Sequence, residues 1–437
     1  MTLLLILLAI IALILLISWG KLNAFLAFLI VSISVGLLLG IPFSKITGSV
    51  QKGIGDMLGS LVIIICLGAM LGKIVAESGA AQKITSVLMQ AFGRKYIQWA
   101  LMITGFIVGI PLFYNVGFVL MVPLIFSVVY QFKLPAVYTG IPMLAALSVT
   151  HGFLPPHPSP AALVGQFKAN MGLTLVYGMM IAIPAIILAG PVFAKTVKNI
   201  RSVPLQTFQP KTLKPEELPG TTNSFLSSLL PVLMLAISTI LSFTIAAGTP
   251  AAEFNTFIGD PVIVMLVSLL IATFSLGIFA GMNMKTIMGF YADAVKDVSV
   301  ILLIVAGAGA LKQVFVDSKV SDEIGSLLQG LDMHPLFLGW LIASVVRVCV
   351  GSATVAGLTT AGIIAPVMAQ TNADPNLMVL SIGAGSLMFS HVNDSGFWLF
   401  KEYFNLSIKD TIRSWSLMET VVAVVGLGGV MLLDIFI

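Results

Sequence analysis

The sequence predicts an all-α polytopic membrane protein made of two inverted-topology repeats, with re-entrant helical hairpins and broken helices. Three observations predict it. Of 437 residues, 58% are hydrophobic and only 9% are charged, with a mean hydropathy of +1.08; a soluble domain carries about 25% charged residues because its surface faces water. Apolar stretches near the ~20 residues that cross a bilayer recur almost end to end. Gly/Pro-rich breaks interrupt those stretches at matching places in the two halves.

In chain order the candidate spans are residues 3–17, 22–41, 58–75, 97–110, 117–129, 173–193, 225–246, 262–279, 298–315, 335–350 and 416–437, with ambiguous pieces between them. Long alternating polar/apolar segments are absent, so helices and not a barrel must satisfy the backbone in lipid. Met1 runs straight into apolar residues without a basic leader region or a small-residue cleavage site, which predicts that the first segment is kept as a helix. Cys66 and Cys349 both sit in apolar stretches and read as packing residues, not as a disulfide or a metal site. A net charge of +4 reflects anchoring charges at the cytoplasmic face of a bilayer and does not indicate a nucleic-acid partner.

One hydrophilic segment divides the chain. Residues 195–224 carry Lys195, Lys198, Arg201, Lys211 and Lys214 with prolines at 204, 210, 215 and 219, and the basic excess predicts a cytoplasmic linker. It separates a first repeat, 1–194, from a second, 225–437. A register of about 240 residues superposes Lys45 on Lys285, Glu77 on Asp317, Ser78 on Ser318, Pro135 on Pro375 and His151 on His391. The loop at 77–96 is basic (Lys83, Arg94, Lys95), whereas its partner at 317–334 is acidic (Asp317, Asp322, Glu323, Asp332). Since Lys/Arg excess marks the cytoplasmic side, equivalent loops are expected on opposite sides, as in inverted-repeat secondary transporters.

Transporter sites lie where helices are discontinuous and free backbone groups meet substrate. The first pair of breaks runs from Gly109 through Pro111 and Gly117, closing at Pro123, and from Gly351 through Gly357, closing at Pro366. Proline removes a donor and glycine admits a reversal, so both read as hairpin tips. They offer Asn115, Ser352, Thr354, Thr359 and Thr360 to a substrate; Ser and Thr in such helices also bond their own backbone. The second pair is Thr150 to Pro160, with four prolines in six residues, and Ser390 to Trp398. Thr150, His151, His391, Asn393 and Ser395 are substrate-binding candidates there. Asp394 is an ionisable residue at membrane depth, costly and functional by default. Low dielectric favours the neutral carboxyl, which makes Asp394 the candidate for binding and releasing a coupling proton, with His391 and His151 as helpers. Arg347, just before the second tip, either attracts an anionic substrate or pairs with an acid.

These motifs are quite specific. The chain resembles the gluconate permease (GntP) family of bacterial organic-acid symporters, on 109–123, on 151–172 with its His-Gly-Phe-Leu-Pro-Pro-His-Pro core, on 351–366, and on Ser390 to Trp398 followed by Ser414 to Thr420. The resemblance implies a multi-pass protein of the bacterial inner membrane that imports gluconate or a related small anionic sugar acid with protons. D-serine and glycerate are other substrates in that family. It also implies a transport domain moving against a scaffold that forms a homodimer, and no cofactor beyond the coupling ion. Sodium is the rival coupling ion, since freed carbonyls and hydroxyls suit it. An intramembrane enzyme is disfavoured because neither His-Glu-x-x-His nor Gly-x-Ser-x-Gly occurs. A channel would want charge rings or carbonyl filters that are not seen.

Overall fold

Caps and prolines decide where the helices begin. The computed structural model describes all residues except 1, 110–113, 156, 206–212, 243, 247, 321–322, 324–332, 369–370 and 372. Pro111 of the first tip, one proline of the second break, most of the acidic 317–334 loop and Lys211 of the linker lie outside the described residues. Elsewhere the chain forms helices, with no strand among the described residues. In the first half they are α1 (Thr2–Ser18), α2 (Ala24–Leu38), α3 (Phe43–Glu77), α4 (Ala80–Gly109), α5 (Tyr114–Phe132), α6 (Ala136–Phe153), α7 (Pro158–Phe167) and α8 (Met171–Val197). In the second they are α9 (Thr221–Ser242), α10 (Pro250–Ile258), α11 (Pro261–Ala280), α12 (Met284–Asp317), α13 (Pro335–Val350), α14 (Ala353–Met368), α15 (Pro375–Gly385), α16 (Ser395–Tyr403) and α17 (Ile408–Asp434). Asn23, Asn170, Asp260, Asn283 and Asp374 cap α2, α8, α11, α12 and α15 by accepting from orphan N–H groups of the first turn. Proline opens α10, α11, α13 and α15, where no donor is lost.

Among the described residues, five of these helices are long and apolar enough to cross a bilayer, and seven shorter apolar segments accompany them. The chain is therefore an all-α, multi-pass membrane protein. Helices α3 and α12 are 35 and 34 residues long, well beyond the spans expected at 58–75 and 298–315. A hydropathy window discards their polar N-terminal portions; in α3 Lys52 and Asp56 pair across one helical turn there at 2.5 Å. The two helices run against each other, ending at Glu77 and Asp317, which the sequence register superposes. They cross at Gly53 and Gly309, where a Cβ on either would strike the other's carbonyl oxygen; small residues allow such approach in membranes.

Two further departures concern the prolines. Pro123 and Pro366, expected to close the hairpins, lie inside α5 and α14. Neighbouring helices re-satisfy the freed carbonyl, so membrane helices tolerate interior proline. The short helices α6 and α15 are buried along almost their whole length and form the protein's interior instead of facing lipid. The connection from α8 to α9 is strapped down: Tyr130 Oη donates to the Pro204 carbonyl at 2.6 Å, and Leu205 N–H donates to Tyr403 at 3.1 Å.

Candidate substrate-binding site

A cavity of about 580 Å³ opens at the centre of the helix breaks, within the roughly 300–1,000 Å³ typical of small-molecule sites. One wall is largely apolar, from Met57, Leu61 and Ile64 of α3 and Ala308 of α12, with Lys312 as its cation and the start of α11 at its edge. The opposite wall is polar. It comes from the starts of α5, α14 and α16, from Ser148 and His151 of α6, from Arg347 of α13, and from Trp415 and Glu419 of α17.

The polar wall is organised around one ion pair. Arg347, in the last turn of α13, donates through Nη2 to Asp394 Oδ2 at 2.5 Å, with both side chains almost fully buried. Ser390 Oγ also donates to Oδ2, and Asp394 Oδ1 accepts from the Gly396 N–H at 3.1 Å as the N-cap of α16. Trp415 Nε1 then donates to Ser390 Oγ at 2.8 Å, so a chain of bonds ties α13, the break, α16 and α17 together. The tip beside it reverses at Gly351, whose φ of +75° suits glycine, and an added Cβ would strike the Asn393 carbonyl.

Broken helices leave carbonyls without intrahelical donors, and side chains from the second breaks supply them. Asn393 Nδ2 donates to Val348 and Cys349 at 2.8 and 3.0 Å, and His391 Nε2 meets the same Val348 carbonyl at 2.8 Å. In the first half His157 Nε2 does the same for Gly109, the last residue of α4, at 2.9 Å. The ring of His151 sits edge-on to His157, centroids 5.3 Å apart.

Buried polar atoms normally find partners, yet several around this cavity do not. Arg347 Nε and Nη1, Asn393 Oδ1, Tyr114 Oη and Glu419 Oε1 lack a hydrogen-bond partner among the described residues. Such a cluster, in a cavity of this size, makes this the candidate ligand site.

Residues 1–436 match the profile of the GntP family permeases. The high-affinity gluconate transporter of Escherichia coli K12 is 47% identical over the full length of both chains. The Gnt-II system L-idonate transporter of the same organism is 44% identical over 97% of each, and the gluconate permease of Bacillus subtilis 168 is 43% identical over the full length of both. The chain belongs to the GntP permease family. Its relatives are permeases and transporters, not enzymes.

The cavity of this permease brings together Asn115, His151, Ser352, Thr354, Asn393, Asp394 and Ser395. Three of the expected substrate-binding residues are not among its lining. Thr150 Oγ1 bonds back to Ala146 and Leu147 within α6, at 3.1 and 2.9 Å; Thr359 lies further along α14; His391 serves the Val348 carbonyl. Arg347, for which two roles were open, is paired with Asp394. Sequence reasoning left out Tyr114, Ser148, Lys312 and Glu419, and gave His157 no role. A carboxylate standing alone between Arg413 and Asp434 in the apolar stretch of α17 was the available signal for Glu419.

Proposed function

We propose that this permease imports gluconate or a closely related sugar acid across the bacterial inner membrane, coupled to protons. One observation carries the substrate reading: the starts of α5, α14 and α16 and the Arg347 guanidinium converge on one cavity in which Arg347 Nε and Nη1 and Tyr114 Oη lack partners among the described residues. Helix N-termini carry partial positive charge and free N–H groups, which favour a carboxylate. The hydroxyls and amides of Asn115, Ser352, Thr354 and Ser395 suit a polyol chain behind it. Sugar acids are also what the relatives are named for. Sodium would want free carbonyls, but those of Gly109, Val348 and Cys349 are already met by His157, His391 and Asn393, which favours the proton. The apolar α3/α12 wall against the polar wall of breaks fits a scaffold and a transport domain. Two inverted repeats and a dimeric scaffold belong to the same proposal.

Purified protein in liposomes should accumulate labelled gluconate when an inward proton gradient is imposed, and a protonophore should abolish accumulation. Accumulation that ignores the protonophore but follows a sodium gradient would reject proton coupling. No displacement of label by excess gluconate, with displacement by glycerate or D-serine, would reject the substrate class.

A further inference from the structure

We propose that Glu419 is the residue that carries the coupled proton. This rests on the proton-coupled reading above. Glu419 follows the wide turn at Ile412–Ser416 in α17, and π-type turns of this kind recur at functional sites. It stands four residues after Trp415, so both project from one face of the helix onto the cavity. Its side chain is 1% exposed. Ser148 of α6 lines the cavity with it, and Oε1 has no hydrogen-bond partner among the described residues.

The ionisable groups facing it are Arg347 from α13, Asp394 from the second break, Tyr114 from α5, His151 from α6 and Lys312 across the cavity. Arg347 is already committed to Asp394. Among the described residues no cation forms an ion pair with Glu419, and a carboxylate buried without a direct counter-ion is expensive. Asp394 is placed differently. Both of its oxygens accept bonds, from Arg347, Ser390 and the Gly396 N–H, so a proton there would break the pair that organises the site.

The coupling follows from charge. An anionic Glu419 shares the cavity with Arg347 and opposes entry of the substrate carboxylate. Adding one proton to a carboxylate oxygen makes a neutral acid and removes that opposition; losing the same proton on the other side restores it. Proton and anion thus favour each other's binding, and the coupling is reciprocal.

The test uses the intact protein in liposomes. Glu419→Gln should retain gluconate counterflow, lose accumulation driven by a proton gradient, and bind gluconate with an affinity independent of pH, where the wild type binds more weakly as pH rises. Full gradient-driven accumulation by E419Q overturns the proposal, as does a folded E419Q that neither binds nor exchanges gluconate. If E419Q does not fold, Glu419→Asp decides: a shifted pH midpoint for uptake supports the assignment and an unmoved one overturns it. Wild-type protein that exchanges gluconate without responding to a proton gradient would defeat the underlying reading instead.

Discussion

The break at Thr150–Pro160 and the break at Ser390–Trp398 do the same structural work with different chemistry. In each, a histidine meets a carbonyl at the end of a hairpin arm: His157 at Gly109 and His391 at Val348. Only the second adds charge. Under the sequence register Arg347 superposes on Ile107, which is exposed, and Asp394 on Leu154, which is buried, so the positions of the ion pair in one half carry apolar residues in the other. The comparison separates what a broken helix needs in order to exist from what this protein adds in order to act. Carbonyl capping is shared, and the charged side chains that line the cavity are confined to the second half.

The largest effect should come from breaking that asymmetry. Arg347→Ile leaves Asp394 buried without its cation, and removing one partner of a buried pair costs about 3–5 kcal/mol. Asp394→Leu strands Arg347 in the same way. The double variant R347I/D394L installs the residues of the first half and should recover most of the lost melting temperature in detergent, because apolar replacement of a buried pair is often neutral. Gluconate uptake should be absent in all three. A double variant no more stable than the singles would show that the second half cannot accept the first half's packing.

Much of the fold was legible because its signals are local. Proline clusters and glycines mark the breaks wherever the chain folds, and apolar length marks the spans. The pairings were not legible, because they join residues distant in sequence. Arg347 lies 47 residues from Asp394, and nothing in either neighbourhood names the other. Glu419 shares a cavity with Ser148 only through the packing of α17 on α6. The register also misled in one respect. It superposes His391 on His151, but the residue making the equivalent carbonyl contact is His157, six residues further on at the start of α7. Thr150 and Asn115 look alike as polar residues near breaks, yet one sits inside a helix and the other opens one.

Intermediate effects should test the shared half of the comparison. If His157 and His391 are both carbonyl caps, His157→Ala leaves the Gly109 carbonyl short of its side-chain donor, at about 1–3 kcal/mol, and His391→Ala should cost less, because Asn393 Nδ2 still donates to Val348. Glutamine carries a donor amide, so His391→Gln should recover part of the stability and keep proton-driven uptake. Loss of proton coupling in H391Q with its stability intact would return His391 to the proton path and end the equivalence.

The smallest effects should separate a hydroxyl inside a helix from one at a tip. Thr150 Oγ1 bonds carbonyls of its own helix, and those carbonyls have helical donors besides. Thr150→Val preserves shape, so melting and uptake should both move little, within about 0.5 kcal/mol for stability. Ser352 sits at the tip, lines the cavity and makes one long bond, 3.4 Å, to the Val355 N–H. Ser352→Ala should likewise leave melting nearly unchanged but raise the KM for gluconate, because a hydroxyl that meets substrate acts on binding and not on folding. An unchanged KM in S352A beside a raised KM in T150V would reverse the assignment of these two positions. The substrate would then reach toward the first break, and the charge-bearing half would hold only the carboxylate end.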